Sequence, residues 1–339
     1  MIRPLTPRRL LLTCAGLGGI LLLVVFFSLK FGTRSISVTD LAVFLFRTAT
    51  GRGDTAASDF RLIILDIRWP RILLAMIVGA ALSVAGASFQ ALLRNPLADP
   101  YVLGVSSGAG LGSILTLIWA AEMPAATPFG AFAGAVLATS AVYLLGQRGG
   151  DLDSYALLLG GIITASFLSA LIMFLMTTIS GRELRGMAFW LMGDLSTPSP
   201  VPAGWLVLVL VLGSGAIYTT AADLNLLLSG EQEAMHLGVD VGRVKIVVYL
   251  GASVLTGLAV SVSGAVGYVG LMVPHLVRLL FGSDYRLLLP ATALGGAIVV
   301  VLADTLARTV VAPTQLPVGA MTALVGAPVF IYLLRRRIA

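Results

Sequence analysis

Between Leu10 and Leu29 the chain runs for twenty residues with nothing more polar than Thr13, Cys14 and Ser28. A helix rising about 1.5 Å per residue over that length is roughly 30 Å long, the hydrocarbon thickness of a bilayer. Inside hydrocarbon every backbone donor and acceptor needs an internal partner, so such a run is confined to a crossing helix. Arg3, Arg8 and Arg9 precede it and no A-x-A site follows. It reads as a retained first helix with its N-terminus inside, not as a removed signal peptide.

Nine more apolar stretches follow, giving ten expected spans near 10–29, 70–92, 102–121, 127–146, 155–179, 203–221, 246–263, 266–281, 287–311 and 317–334. The weakest is 266–281, which is short and holds Pro274, His275 and Arg278. Hydrophobic residues make up 58% of the chain and charged residues 11%. One soluble core of this size cannot hide that much apolar surface. The fold class expected is therefore all-α integral membrane. Arg335, Arg336 and Arg337 form a second basic end, so both termini are expected on the cytoplasmic side, as an even number of spans requires.

The net charge of +6 comes almost wholly from arginine, because Lys30 and Lys245 are the only lysines. These charges sit at the ends of apolar runs and not on a soluble face, which argues against a nucleic-acid partner. Cys14 is the sole cysteine and is expected to be a small buried side chain, with no disulfide or cysteine metal site. One loop resists the charge rule. Residues 30–71 should be external, yet carry Lys30, Arg34, Arg47, Arg52, Arg61, Arg68 and Arg71. Either the orientation is reversed or those arginines have a use.

Ala81–Ala87 (ALSVAGA) closely matches Ala259–Ala265 (AVSVSGA). The two spans that carry them are five apart in the count, so they cross in opposite directions. That is the mark of an inverted repeat, a common construction in transporters, with the pathway at the repeat interface.

Catalytic chemistry is missing from the pattern. Neither lysine follows a glycine, so no G-x-x-x-x-G-K-[ST] phosphate loop exists. His236 and His275 stand far apart with no metal-ligand spacing. No catalytic residue, metal or cofactor is expected in this chain. Ion coupling is poorly supported too, since relays place carboxylates or histidines deep in spans. Asp304 is the nearest candidate, and Arg308 lies four residues on along the same helical face, which reads as an ion pair near the boundary.

Two polar segments stand out. In Arg94-Asn95-Pro96-Leu97-Ala98-Asp99-Pro100, Pro96 stops the preceding helix while Asn95 and Asp99 can cap freed backbone groups, giving a tight turn. Residues 223–245 form the longest polar insertion. Ser229-Gly230-Glu231-Gln232 has the spacing of a capping box with Ser229 at the N-cap, and Glu231 and Glu233 suit a helix start. Gly238 can end that helix and Asp240 begin the next. Ala234, Met235, Leu237 and Val239 are expected to be exposed, as a partner surface or packed on the bilayer. Residues 182–198, with Met187, Phe189, Trp190 and Met192, read as an amphipathic helix, at a cavity mouth or as an interfacial anchor.

Taken together, GAALSVAGASFQ before RNPLADP, then EQEAMHLGVDVGR, GYVGLMVPHLVRLLFGSDYRLLLP, LADTLAR and QLPVGAMTALVGAPVFIYLL resemble the FecCD-type permease subunits of ABC importers for iron siderophores, haem and cobalamin. The resemblance covers about residues 60–339, in order and with similar spacing. It implies a type II ABC importer permease fold of ten spans, a homodimer, two separate ATP-binding subunits that carry ATP and Mg, an extracytoplasmic solute-binding protein and a metal-chelate substrate. By the same resemblance Ser229, Gly230, Glu231, Gln232, Glu233, Ala234, Leu237, Gly238 and Val239 are the ATPase-coupling residues, within coupling helices at 223–245. Asn95, Leu97, Ser154 and Tyr155 match the cytoplasmic gate, and Arg68, Arg71 and Arg308 match positions that pair with acids on the binding protein. External arginines that steer a partner would account for the charge-rule conflict. Gln315 departs from the family, which usually has Glu there, and Tyr155 is bulkier than the small polar residue some members use. The expected function is a permease in the cytoplasmic membrane, with a stand-alone secondary transporter as the alternative.

Overall fold

The computed structural model describes residues 5–32, 36–50, 58–120, 122–123, 125–148, 151–178 and 182–338. Arg34 and Arg52 of the first loop lie outside the described residues, and so does the side chain of Arg47. The chain is almost wholly helical. In order come α1 (Pro7–Lys30), α2 (Val38–Ala49), α3 (Ser58–Arg61), a π-helical stretch (Leu62–Arg68) and α4 (Trp69–Leu92). A 3-10 turn (Pro100–Leu103), α5 (Val105–Trp119), α6 (Ala126–Gly146), the short strands β1 (Gln147–Arg148) and β2 (Asp151–Leu152), and α7 (Ser154–Thr178) follow. The remainder is α8 (Arg182–Leu191), α9 (Ala203–Thr219), α10 (Ala221–Leu227), α11 (Glu231–His236), α12 (Val241–Ser263), α13 (Val269–Phe281), α14 (Tyr285–Thr309) and α15 (Val318–Ile338).

Among the described residues six helices are long and apolar enough to cross a membrane, and a seventh span arises if α9 and α10, bent by 51°, count as one. Helices α5 and α13 are shorter: α13 has 13 residues, a rise of only about 20 Å. The stretch expected to start at 266 becomes helical only at Val269, because Gly264 breaks the chain at φ 65° and Tyr268 at φ 68°. The stretch expected from 102 likewise begins at Val105, since Pro100 first sets a 3-10 turn that Gly104 closes at φ 77°. Residues 30–71 are not a plain loop: Leu41 and Phe44 of α2 are buried, Phe44 meeting the Phe60 ring edge-on at 5.4 Å, and the π-helical stretch runs straight into α4.

Helix α4 is the hub. Nineteen of its residues, from Ile72 to Leu92, are buried, and it packs on α12, α13 and α14. Small residues allow that closeness, since lipid supplies no hydrophobic force to drive helices together. A Cβ on Gly79 would lie 2.2 Å from Gly296 O, and one on Gly86 2.0 Å from Gly270 O. The Phe89 and Tyr249 rings meet at 6.2 Å, which sets the end of α4 beside the start of α12, so the two repeat helices run antiparallel. Their matching glycines do different work. Gly86 is a close-packing point inside α4, whereas Gly264 ends α12.

Hydrogen bonds from elsewhere hold part of the break between α12 and α13. Ser263 O accepts from Asp194 N–H at 2.8 Å and Trp190 O from Ala265 N–H at 3.4 Å, while Val266 N–H donates to Tyr101 Oη at 2.8 Å. Irregular backbone at membrane depth is tolerated only with such partners or with water.

Candidate functional site

The charged residues collect at the two ends of the bundle. At one end α4 finishes in a Schellman turn, with Asn95 N–H on Gln90 O and Arg94 N–H on Ala91 O, both at 3.1 Å. The left-handed position of such a turn is ordinarily glycine; here it is Arg94, at φ 47°. A side chain held there costs about 1–3 kcal/mol, and it has an evident use, since Nη2 lies 3.4 Å from Glu231 Oε1. Past Pro96, Asn95 Oδ1 accepts from Leu97 N–H and Asp99 Oδ1 from Tyr101 N–H, each at 2.9 Å. Both expected caps are thus present, and Leu97 stays half exposed. Burial pushes the Asp99 carboxyl up to about 6, against the lowering effect of the Tyr101 N–H.

Helix α11 corrects the expected capping box. Its N-cap is Gly230, at φ 135°, and not Ser229. Gly230 N–H donates to Leu227 O at 3.2 Å, and only glycine fits there: a Cβ on Gly230 would meet Glu233 Oε2 at 2.0 Å. No side chain caps α11, so the expected box does not form, and Gln232 is exposed. At the other end Gly238, at φ 86°, closes a second Schellman turn, with Val239 N–H on Ala234 O and Gly238 N–H on Met235 O, both at 3.0 Å. That turn draws Ala234 and Val239 into contact with the body, so both are buried, contrary to expectation. Met235 and Leu237 remain exposed, at 54% and 65%. Asp240 caps α12 as expected, accepting from Arg243 N–H at 3.0 Å.

Glu231 is where these segments join. Its Oε2 lies 2.6 Å from Lys245 Nζ, and the same ammonium donates to Leu152 O at 2.8 Å. Two residues later Ser154 Oγ donates to Leu92 O at 3.1 Å, and Asp153 Oδ1 caps α7 through Ala156 N–H at 2.6 Å. Tyr155 is 71% exposed at the rim of a cavity of about 450 Å³ that Arg94, Leu152, Ser154, Glu231 and Lys245 also line. Helix α11, the turn after α4 and the loop before α7 therefore form one polar junction. Lys245 was the part missed from the sequence. Its only advance signal is a lysine one turn into a helix that is uncharged after it.

At the opposite end the three predicted docking arginines turn inward. Arg68, 5% exposed, donates through Nη1 to Leu29 O and, at 3.0 Å, to Lys30 O. Arg71 binds Asp304 Oδ1 at 2.7 Å and Gln315 Oε1 at 2.6 Å. Arg308 lies 3.2 Å from Asp304 Oδ2 and donates to Ser28 Oγ at 2.6 Å. Asp304 is therefore shared by two guanidiniums, one more than the i, i+4 spacing announced. Arg71 and Gln315 also border a cavity of about 300 Å³ with Asp66, Ser196 and Thr197. Met187 of the amphipathic α8 is buried against Ile114 and Ile172, while Phe189 and Met192 stay partly exposed. Among the described residues no cluster of three or more His, Cys, Asp or Glu is placed to hold a metal ion.

Residues 20–336 match the model of the FecCD transport family. A cobalamin import system permease protein of Halobacterium salinarum is 44% identical over 82% of this chain and 74% of its own length. A hemin transport system permease protein of Yersinia pestis is 41% identical over 80% of this chain and 83% of its own. A solved structure described as an inward-facing ABC transporter of the metal-chelate type superposes with a TM-score of 0.81 at 30% identity, covering 96% of this chain and 99% of that one.

Proposed function

The chain belongs to the FecCD transport family of membrane permeases of ABC importers, and from that premise we propose that it carries a metal chelate into the cytoplasm by alternating access, driven by separate ATPase subunits. Two copies of the chain pair around a central pathway, since a large chelate needs more width than one bundle offers. ATP and Mg reside in the partner ATPases, and an extracytoplasmic binding protein delivers a ferric siderophore, haem or cobalamin. In this reading ten segments cross the cytoplasmic membrane, with both termini and the junction around Glu231 on the cytoplasmic side.

The observation that carries the reading is the junction itself. A coupling segment is useful only if something mechanical links it to a gate, and Glu231 bonds to residues that hold both gate loops, Arg94 and Lys245. The exposed Met235 and Leu237 then supply the apolar surface for the ATPase groove. A docking role for Arg68, Arg71 and Arg308 requires their internal contacts to be shared or exchanged when the binding protein arrives. Ion coupling has less support, because buried Asp304 is held between two arginines.

The test is uptake in reconstituted vesicles. The chain, co-expressed with its ATPase and supplied with binding protein, is expected to accumulate a labelled chelate only when ATP is present. Uptake by the chain alone, driven by a proton gradient, would overturn the proposal.

A further inference from the structure

Lys245 stands on α12, fourteen residues after Glu231 and ninety-three after Leu152. Its side chain is only 6% exposed. The ammonium has three donors on a flexible stem, and two of them are committed: one to Glu231 Oε2 at 2.6 Å and one to Leu152 O at 2.8 Å. The first acceptor belongs to the coupling helix α11. The second belongs to the two-stranded turn that leads directly into α7 and the gate residues Ser154 and Tyr155. No other hydrogen bond or ion pair among the described residues has one side chain holding α11 and that turn together.

We infer that Lys245 is the strut that transmits movement of α11 to the loop before α7, a positioning residue for gating that acts through Leu152. The inference rests on the permease reading above. When α11 shifts with its partner, Glu231 pulls the ammonium, and the ammonium pulls a main-chain carbonyl. Attachment to a carbonyl matters, because it moves the backbone of the gate loop and not one side chain. Arg94, on the exposed side of the same carboxylate, draws the turn after α4 in the same direction. Because the contact to Glu231 is ionic while that to Leu152 is not, losing the charge breaks the link on the α11 side first.

The test compares wild type with Lys245→Met and Lys245→Arg in the assembled complex in vesicles. Chelate uptake, ATP hydrolysis and amide hydrogen exchange are read with and without nucleotide. In wild type, nucleotide should change exchange in both 231–239 and 152–158. In Lys245→Met the change in 231–239 should persist while that in 152–158 disappears, and chelate moved per ATP should fall about tenfold or more. Lys245→Arg, which keeps the charge and donors, should restore part of that ratio. An unaltered response of 152–158 in Lys245→Met overturns the strut, as does a parallel fall in uptake and hydrolysis at an unchanged ratio, which marks a structural role only. Should Lys245→Met fail to accumulate, Lys245→Gln provides the same comparison with the charge removed. Absence of any ATP-dependent uptake in wild type would instead sink the permease reading, a result distinct from either outcome above.

Discussion

Arg71 on α4 grips Asp304 on α14 through Nε at 2.8 Å and Nη2 at 2.7 Å, and Asp304 is wholly withdrawn from solvent. Arg308 approaches the other carboxylate oxygen at 3.2 Å. Removing one member of a buried ionic group leaves its partners uncompensated, at about 3–5 kcal/mol. Asp304→Asn is therefore expected to lower the unfolding free energy in detergent by that order, read as a lower denaturation midpoint. Gln315→Glu adds a carboxylate where Arg71 already has an acceptor, but on an exposed turn. It should gain no more than about 1 kcal/mol.

Close helix approach gives a second expectation. Gly86→Ala forces a methyl to within 2.0 Å of Gly270 O, whereas nothing lies within 4 Å of a Cβ at Gly16. Overpacking costs about 1–3 kcal/mol where neighbours can shift, and the obstacle here is main chain. Gly86→Ala should reduce the yield of folded protein and lower its melting temperature, while Gly16→Ala should leave both unchanged.

Arg94 trades stability for a contact. Arg94→Gly relieves a left-handed side chain, worth about 1 kcal/mol or more, and gives up only a partly exposed pair at 3.4 Å, worth about 0–1 kcal/mol. The variant is expected to melt no lower than wild type, and higher if the pair is weak. Chelate uptake per ATP should nevertheless fall, because the turn after α4 is released from Glu231. A lower melting temperature would show that the ion pair outweighs the backbone strain.

Asp99 provides a pH signature. Burial raises its folded-state carboxyl to about 6 from an ordinary 3.8, so between those values the folded chain binds more protons than the unfolded one. Stability then falls as pH rises through that window and levels off above it. Asp99→Asn keeps an acceptor for the Tyr101 N–H and should flatten this part of the stability–pH curve. An unchanged slope between pH 4 and 6 would count against the assignment.

Much of the architecture was legible because hydropathy and helix geometry are local. The helix expected near 127–146 runs from Ala126 to Gly146, and that near 155–179 from Ser154 to Thr178. The helices before Trp69 were hidden by Asp66 and Arg68, which read as loop but sit within a π-helical turn. Leu41 and Phe44, three apart, were a visible amphipathic signal for α2 that the many arginines around it obscured. Ser229 and Gly230 show the limit of motif spacing. The spacing points to Ser229, but the chain turns at Gly230, at φ 135°, and no side chain caps α11. Lys245 was illegible for another reason: its acceptor at Leu152 is a main-chain oxygen, which leaves no trace in residue identity. The inward turn of Arg68, Arg71 and Arg308 depends likewise on partners at Leu29, Ser28 and Asp304 that only the packed helices bring near.

The break between α12 and α13 bears on how the chain can be assembled. Three of its hydrogen bonds go to Tyr101, Trp190 and Asp194, all of which precede it in the order of synthesis. The first repeat thus enters the bilayer with acceptors and a donor still waiting, and the second completes them on arrival. Despite their matching pattern, the two halves are not interchangeable modules. A chain severed between Asp194 and α9 would leave Tyr101, Trp190 and Asp194 in one fragment and their partners at Val266, Ala265 and Ser263 in the other.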